Sequence, residues 1–151
     1  MPRDRDVRIA IQAALQATNQ FDGVYLWGLP EDLGSGVSRA AIAVIEPGSG
    51  QARDDWDDPS DGGQLVIEST ASVTLYQREE DPQLRDENAE LLLSYVANAI
   101  NGQSLGGLTL PGATKVQAWR WNPPTPPDRT LTLTVSYQYF VDGWTSFDTT
   151  P

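Results

Sequence analysis

One alternation of apolar and polar residues runs without a break from Asp128 to Val141, D-R-T-L-T-L-T-V-S-Y-Q-Y-F-V. Leu131, Leu133, Val135, Tyr137 and Tyr139 fall on one face; Thr130, Thr132, Thr134, Ser136 and Gln138 fall on the other. Period-2 alternation in β-branched and aromatic residues predicts a strand with one buried face, central or near-central in its sheet. Leu65 to Tyr76 alternates in the same way, with Leu65, Ile67, Ser69, Ala71, Val73 and Leu75 on one side. It predicts a strand of similar length, a neighbour or near-neighbour of the first. Shorter strands are expected at Val24 to Trp27, at Arg39 to Ile45, where Pro47-Gly48 should stop the strand, and at Lys115 to Trp121.

Two segments repeat at helical rather than strand spacing. From a cap at Asp4 or Asp6 to about Thr18, Val7, Ile11, Ala14, Leu15 and Thr18 form one stripe. Asp81-Pro82 places an N-cap carboxylate before a proline at the first helical position. Leu84, Asn88, Leu91, Leu92, Tyr95, Val96, Ala99 and Ile100 follow as a broad apolar stripe, and Asn101-Gly102 closes it. Asp86, Glu87 and Glu90 sit early, where the helix dipole favours them.

Between these elements the chain is punctuated by turn residues. Residues 28–36, the 104–114 connector with its Gly106-Gly107 pair, and the four-proline run Asn122 to Pro127 read as loops. Residues 48–63, rich in Asp and Gly, read as a long mobile loop, and residues 143–151 as a polar tail. The element order predicts an α+β fold. Two helices pack on one face of a mostly antiparallel sheet, a two-layer sandwich spanning residues 1–151 as one domain.

Composition narrows the chemistry. The formal net charge is −11 and the sequence pI about 4.2. Ten scattered basic residues disfavour a phosphate-binding surface or contact with an anionic membrane. With no Cys, thiolate metal sites, disulfides and Cys nucleophiles are excluded; with no His, the commonest general base and transition-metal ligand are gone. No cofactor is expected. No segment approaches the roughly 20 apolar residues of a membrane span, and the N-terminus leads into an amphipathic segment, so a soluble intracellular product is the expectation.

The ordered set of elements resembles the tail terminator, or tail completion, proteins of long-tailed bacteriophages of the lambda type. The resemblance spans Asp6 to Trp144 and has four parts. They are the helix V-R-I-A-I-Q-A-A-L; a strand followed, after an acidic interruption, by L-V-I-E-S-T-A-S-V-T-L-Y; a helix ending N-A-I-N-G; and the L-G-G-L connector before a strand pair closing with L-T-L-T-V-S-Y. The Asp-rich 54–61 run and the Pro-rich Asn122 to Pro127 run depart from the expected pattern.

The resemblance implies a non-enzymatic virion protein of the tail or neck, made in the host cytoplasm. Such proteins form a ring, usually a homohexamer. The ring caps the tail tube protein's assembly at full length and then receives the head-tail connector protein, while DNA passes through the lumen unbound. An acidic lumen suits that transit, because like charge prevents sticking.

Several features have competing explanations. Asp54, Asp55, Trp56, Asp57 and Asp58 could hold a hard cation, but they lack EF-hand spacing and suit a solvated or partner-contacting loop better. Glu79-Glu80 could serve a glycosidase, although acidic pairs are common in so acidic a chain. Gly62-Gly63 and Gly106-Gly107 lack the Lys-Ser/Thr of a phosphate loop and fit turns. Trp119 and Trp121 would share a strand face as core, as a subunit interface, or as an aromatic platform for sugars. The other interface candidate is the exposed side of the Val24 to Trp27 strand, Trp27 included, with Leu29 and Leu33. Added salt is expected to favour self-association by screening the acidic excess. The alternative function is a carbohydrate- or protein-binding accessory module.

Overall fold

The structure, a computed structural model, describes residues 3–26, 41–52, 65–110 and 112–141. Chain order gives α1 (Arg3–Ala17), β1 (Gly23–Tyr25), β2 (Ala41–Ala52), β3 (Leu65–Arg78), α2 (Pro82–Ile100), β4 (Lys115–Trp121) and β5 (Asp128–Val141). The five strands form one sheet in the order β1-β2-β3-β5-β4. Only β1–β2 is parallel; the other three pairings are antiparallel. The two long alternating segments are direct neighbours, in register from Leu65↔Val141 to Arg78↔Asp128. β3 takes the centre and β5 lies beside it.

That register stacks like on like. Ala71 faces Val135, Val73 faces Leu133 and Leu75 faces Leu131, all at most 1% exposed. Both helices close over this face. α1 contributes Val7, Ile11 and Leu15, spaced four apart and fully buried; α2 contributes Leu92, Val96 and Ile100. On the opposite face the same register sets Thr70 beside Ser136, Ser72 beside Thr134 and Thr74 beside Thr132, all half-buried hydroxyls.

Local capping fixes the second helix. Asp81 Oδ1 accepts the backbone N–H groups of Gln83 (2.9 Å) and Leu84 (3.3 Å), an N-cap contributing about 1 kcal/mol. At the far end Asn101 caps, and its Oδ1 accepts the Val116 N–H at 2.8 Å. Gly102, at φ 77°, donates its N–H to the Thr114 carbonyl. The helix end thus sets where β4 begins.

Four expectations are corrected. β2 does not stop at Pro47-Gly48 but continues to Ala52. A register shift between Pro47 and Gly50 accommodates the proline, and β1 pairs only as far as Val44, so Pro47 lies beyond the neighbour on that side. Residues 48–52 are therefore strand rather than loop; residues 53–64 lie outside the described residues. Asp4 and Asp6 lie within the first turn of α1, which already begins at Arg3. The buried stripe of α2 is Arg85, Ala89, Leu92, Val96 and Ile100, so Leu84 and Leu91 are turned outward, 46% and 48% exposed. Arg85 is tolerated inward because its guanidinium donates to the carbonyls of Glu79 (2.8 Å) and Glu80 (3.3 Å).

Candidate functional site

Of the residues singled out for contact with a partner, Trp119 and Trp121 are described; Trp27, Leu29, Leu33, Asp54, Asp55, Trp56, Asp57 and Asp58 lie outside the described residues, as does Gly62-Gly63. β4 is the outer strand beside β5 and pairs Trp119 with Leu133 and Trp121 with Leu131. Both indoles therefore rise on the helix side of the sheet, but their fates differ. Trp121 packs against the core and lies under the Arg129 guanidinium, 5.0 Å from ring centre to Cζ. Arg129 is held there by Asp86 of α2, whose Oδ1 stands 3.6 Å from Nε, an ion pair too long for a hydrogen bond. Trp119 remains 56% exposed, the most exposed large apolar side chain among the described residues.

The basic residues of β4 lie on its other face. Lys115 and Arg120 are exposed and pair with Ser136 and Thr132, so they project from the side of β4 opposite to Trp119. A register shift between Val116 and Ala118 breaks the regular edge. Charged side chains and a bulge are the usual protection against strand addition, so this edge is guarded.

A polar cleft of about 670 Å³ opens at the other end of the same strands, between the irregular stretch of β2 and the 110–115 segment. Its floor includes Glu68, Thr70, Ser136 and Gln138. Gln51 Nε2 donates to one Glu68 carboxylate oxygen at 3.1 Å and Gln138 Nε2 to the other at 3.4 Å. Lys115 also lines the cleft.

Asp4, a cap candidate by sequence, has a second role that its position in the chain does not announce. Its Oδ1 accepts from the hydroxyls of Tyr137 (2.9 Å) and Tyr139 (3.1 Å), whose rings stack at 6.2 Å and are each 1% exposed. The signal was present: two tyrosines on the buried face of a strand need partners for their hydroxyls. Burial pushes the Tyr137 phenol well above its ordinary value of 10.0; a hydrogen bond with Ser69 pulls the other way, the Asp4 carboxylate adds to the rise, and Arg8 opposes it. A folded-state pKa raised above the unfolded one contributes stability that is complete below about pH 10 and is lost as pH rises beyond it. Burial also raises the phenol of Tyr76, reinforced by Glu46 and Asp128. The unfolding free energy, measured with urea at pH 9 and then at pH 11, is expected to fall; Tyr137→Phe should flatten that fall without abolishing it. An equal fall in the variant would contradict the assignment to Tyr137.

Glu79 and Glu80 sit side by side before α2, engaged in the turn: the Glu79 carboxylate accepts the Asp81 N–H at 3.3 Å, and both carbonyls hold Arg85. Gly106 and Gly107 adopt φ of 73° and 87°, the turn role expected of them. Among the described residues no three carboxylates gather to hold a metal ion, and no helix is long and apolar enough to cross a membrane.

No protein-family model and no curated protein matches the chain. The solved structures similar to it include the following two. One is the PVC sheath/tube terminator of an extracellular contractile injection system in its extended state, with 22% identity and a TM-score of 0.45 over 90% of this chain and 56% of that one. The other is a chain of the virion of a native gene transfer agent particle, with 15% identity and a TM-score of 0.47 over 89% of this chain and 94% of that one. The chain thus spans little more than half the length of the first.

Proposed function

We propose that this chain is a structural assembly protein of the tail-terminator kind, a virion component that closes the end of a tail tube as a homohexameric ring and receives the head-tail connector. The observation that carries this reading is the order of elements. Each described segment behind the resemblance takes its expected form in turn: a helix over V-R-I-A-I-Q-A-A-L, a strand over L-V-I-E-S-T-A-S-V-T-L-Y, a helix ending at Ile100, and a strand pair closing with L-T-L-T-V-S-Y. Among the described residues β4 and the part of β2 beyond Val44 each have a strand neighbour on one side only, β4 guarded by charge and a register shift, and a ring uses two different flanks of each copy. DNA crossing such a ring would meet a chain of net charge −11 and pass without adhering.

The test is to mix the purified protein with its cognate tail tube protein and image the tubes. Rings seated on tube ends are expected; bare ends at saturating protein would overturn the reading. A second reading, a carbohydrate- or protein-binding module, draws on the polar cleft, whose amide and carboxylate side chains could bind sugar hydroxyls. Saturable glycan binding abolished by Glu68→Ala, together with bare tube ends, would favour it.

A further inference from the structure

We propose that the four-proline tip of the β4–β5 hairpin, Asn122 to Pro127, is a preformed knob that seats in an aromatic-floored, Arg- or Lys-rimmed socket on the tail tube protein. The inference rests on the terminator reading for the identity of the partner; it adds which part of the chain meets that partner and by what chemistry.

The tip is braced by each element around it. Within the hairpin, the Thr125 N–H donates to the Asp128 carbonyl at 3.3 Å and the Asp128 N–H to the Thr125 carbonyl at 2.8 Å, while Asn122 Nδ2 donates to Thr132 Oγ1 at 3.0 Å. From the end of β3, the Glu79 N–H donates to the Pro127 carbonyl at 3.1 Å, and the Arg78 guanidinium donates to both oxygens of Asp128, at 2.9 and 3.1 Å. At its base, Arg129 lies over Trp121 and faces Asp86 of α2. Four proline rings fix φ near −65° on top of these braces. A single proline is enough to set a turn. Here there are four, and Pro123, Pro124 and Pro126 stand exposed together with Thr125.

The chemistry of the tip selects its partner. Proline has no N–H, so only Asn122 and Thr125 carry a main-chain donor, and both are engaged, with the Thr130 and Asp128 carbonyls. The carbonyls of Pro123, Pro124 and Pro126 accept no hydrogen bond among the described residues. The tip thus presents apolar rings and acceptors, without a free main-chain donor. A matching surface supplies flat aromatic faces for the rings and N–H donors for the carbonyls, as grooves that hold proline-rich segments do. Charge sets the rim. At the start of α2, beside the tip, Glu80, Asp81, Asp86 and Glu87 are exposed, while Arg85 is turned inward and Arg78 is paired with Asp128. Donors at the rim of the socket are therefore Arg or Lys. A second copy is a poor match, because the acidic flank would meet a chain of net charge −11. A ring takes the two flanks of each copy, which leaves the ends of the strands for a protein above or below it. The tube end is the first such protein a terminator meets, and a knob that needs no ordering loses less on binding.

The chain has no Cys, so a single thiol can report on one place. Thr125→Cys puts it on the tip, and Gln103→Cys puts it at an exposed position beyond the far end of α2. Each variant is treated with N-ethylmaleimide alone, with its cognate tail tubes, and with the connector protein. On capped tubes, alkylation at position 125 is expected to slow about tenfold, as at the water-excluded centre of an interface, with no change at position 103. Pro123→Ser with Pro124→Ser should raise the protein concentration needed to cap tubes about tenfold, with circular dichroism unchanged. Glu80→Arg should raise it by a similar factor. Equal protection at both positions, protection without tubes, protection only by the connector, or capping by the proline and Glu80 variants at the parent concentration would each overturn the proposal. Capped ends with position 125 still reactive would sink this contact and leave the terminator reading intact; bare ends with the parent protein would sink both.

Discussion

Leu133→Ala is expected to lower the unfolding free energy by about 2–5 kcal/mol, the range for a buried leucine truncated in a close-packed core. Leu133 is fully buried. It lies opposite Val73 on one side and Trp119 on the other, so it is the point where the central strand, its neighbour and the outer strand meet beneath the helices. Neighbours tied into two ladders cannot collapse into the space left by the lost methyl groups, which favours the upper part of the range. Urea denaturation monitored by tryptophan fluorescence checks this. A loss within about 0.5 kcal/mol, typical of surface sites, would mean that the helix-covered face has been misassigned.

Gly48→Ala is expected to cost about 1–3 kcal/mol, the usual penalty for forcing atoms into filled space. A Cβ built on Gly48 collides with the Thr70 hydroxyl and lies 2.7 Å from the Thr70 carbonyl oxygen. The hydroxyl belongs to a side chain, but the carbonyl is part of the central strand and cannot step aside alone. Ser49 N–H donates to Thr70 Oγ1 at 2.9 Å, so the chain is drawn down onto β3 at this point. Thr70→Ala in the same background removes the hydroxyl clash and leaves the carbonyl one. Partial rescue is therefore expected, seen as a midpoint between those of the single variant and the parent protein. An unchanged midpoint for Gly48→Ala would show that this stretch of β2 is free to move.

The same two residues show what sequence could and could not reveal. The long strands were legible because their period is two over a dozen or more residues, and one face had to be apolar. The fourteen-residue register of β3 on β5 follows once both apolar faces point to one core. β2 was cut short because Pro47-Gly48 is ordinarily a stop. Its continuation depends on a register shift and on the close approach to Thr70, a tertiary contact that no local pattern encodes.

The stripe on α2 failed for a related reason. Leu84 and Leu91 fit a broad apolar face by composition, but α2 rests on the sheet along Ala89, Leu92, Val96 and Ile100, with Arg85 turned inward to backbone carbonyls near the helix start. Only the packed structure separates leucines left outside such a helix from those in the core. Trp119 and Trp121 were rightly placed on one face, yet nothing in their spacing told that one would be shielded under Arg129 and the other left bare.

A chain that closes tail tubes as proposed would change the length distribution of those tubes. The cognate tail tube protein is polymerised with and without this chain under otherwise identical conditions, and lengths are measured by negative-stain electron microscopy. Added protein is expected to stop elongation, giving shorter tubes whose ends resist further growth when fresh tube protein is supplied. Tubes of the same lengths in both arms, still elongating from every end, would contradict it.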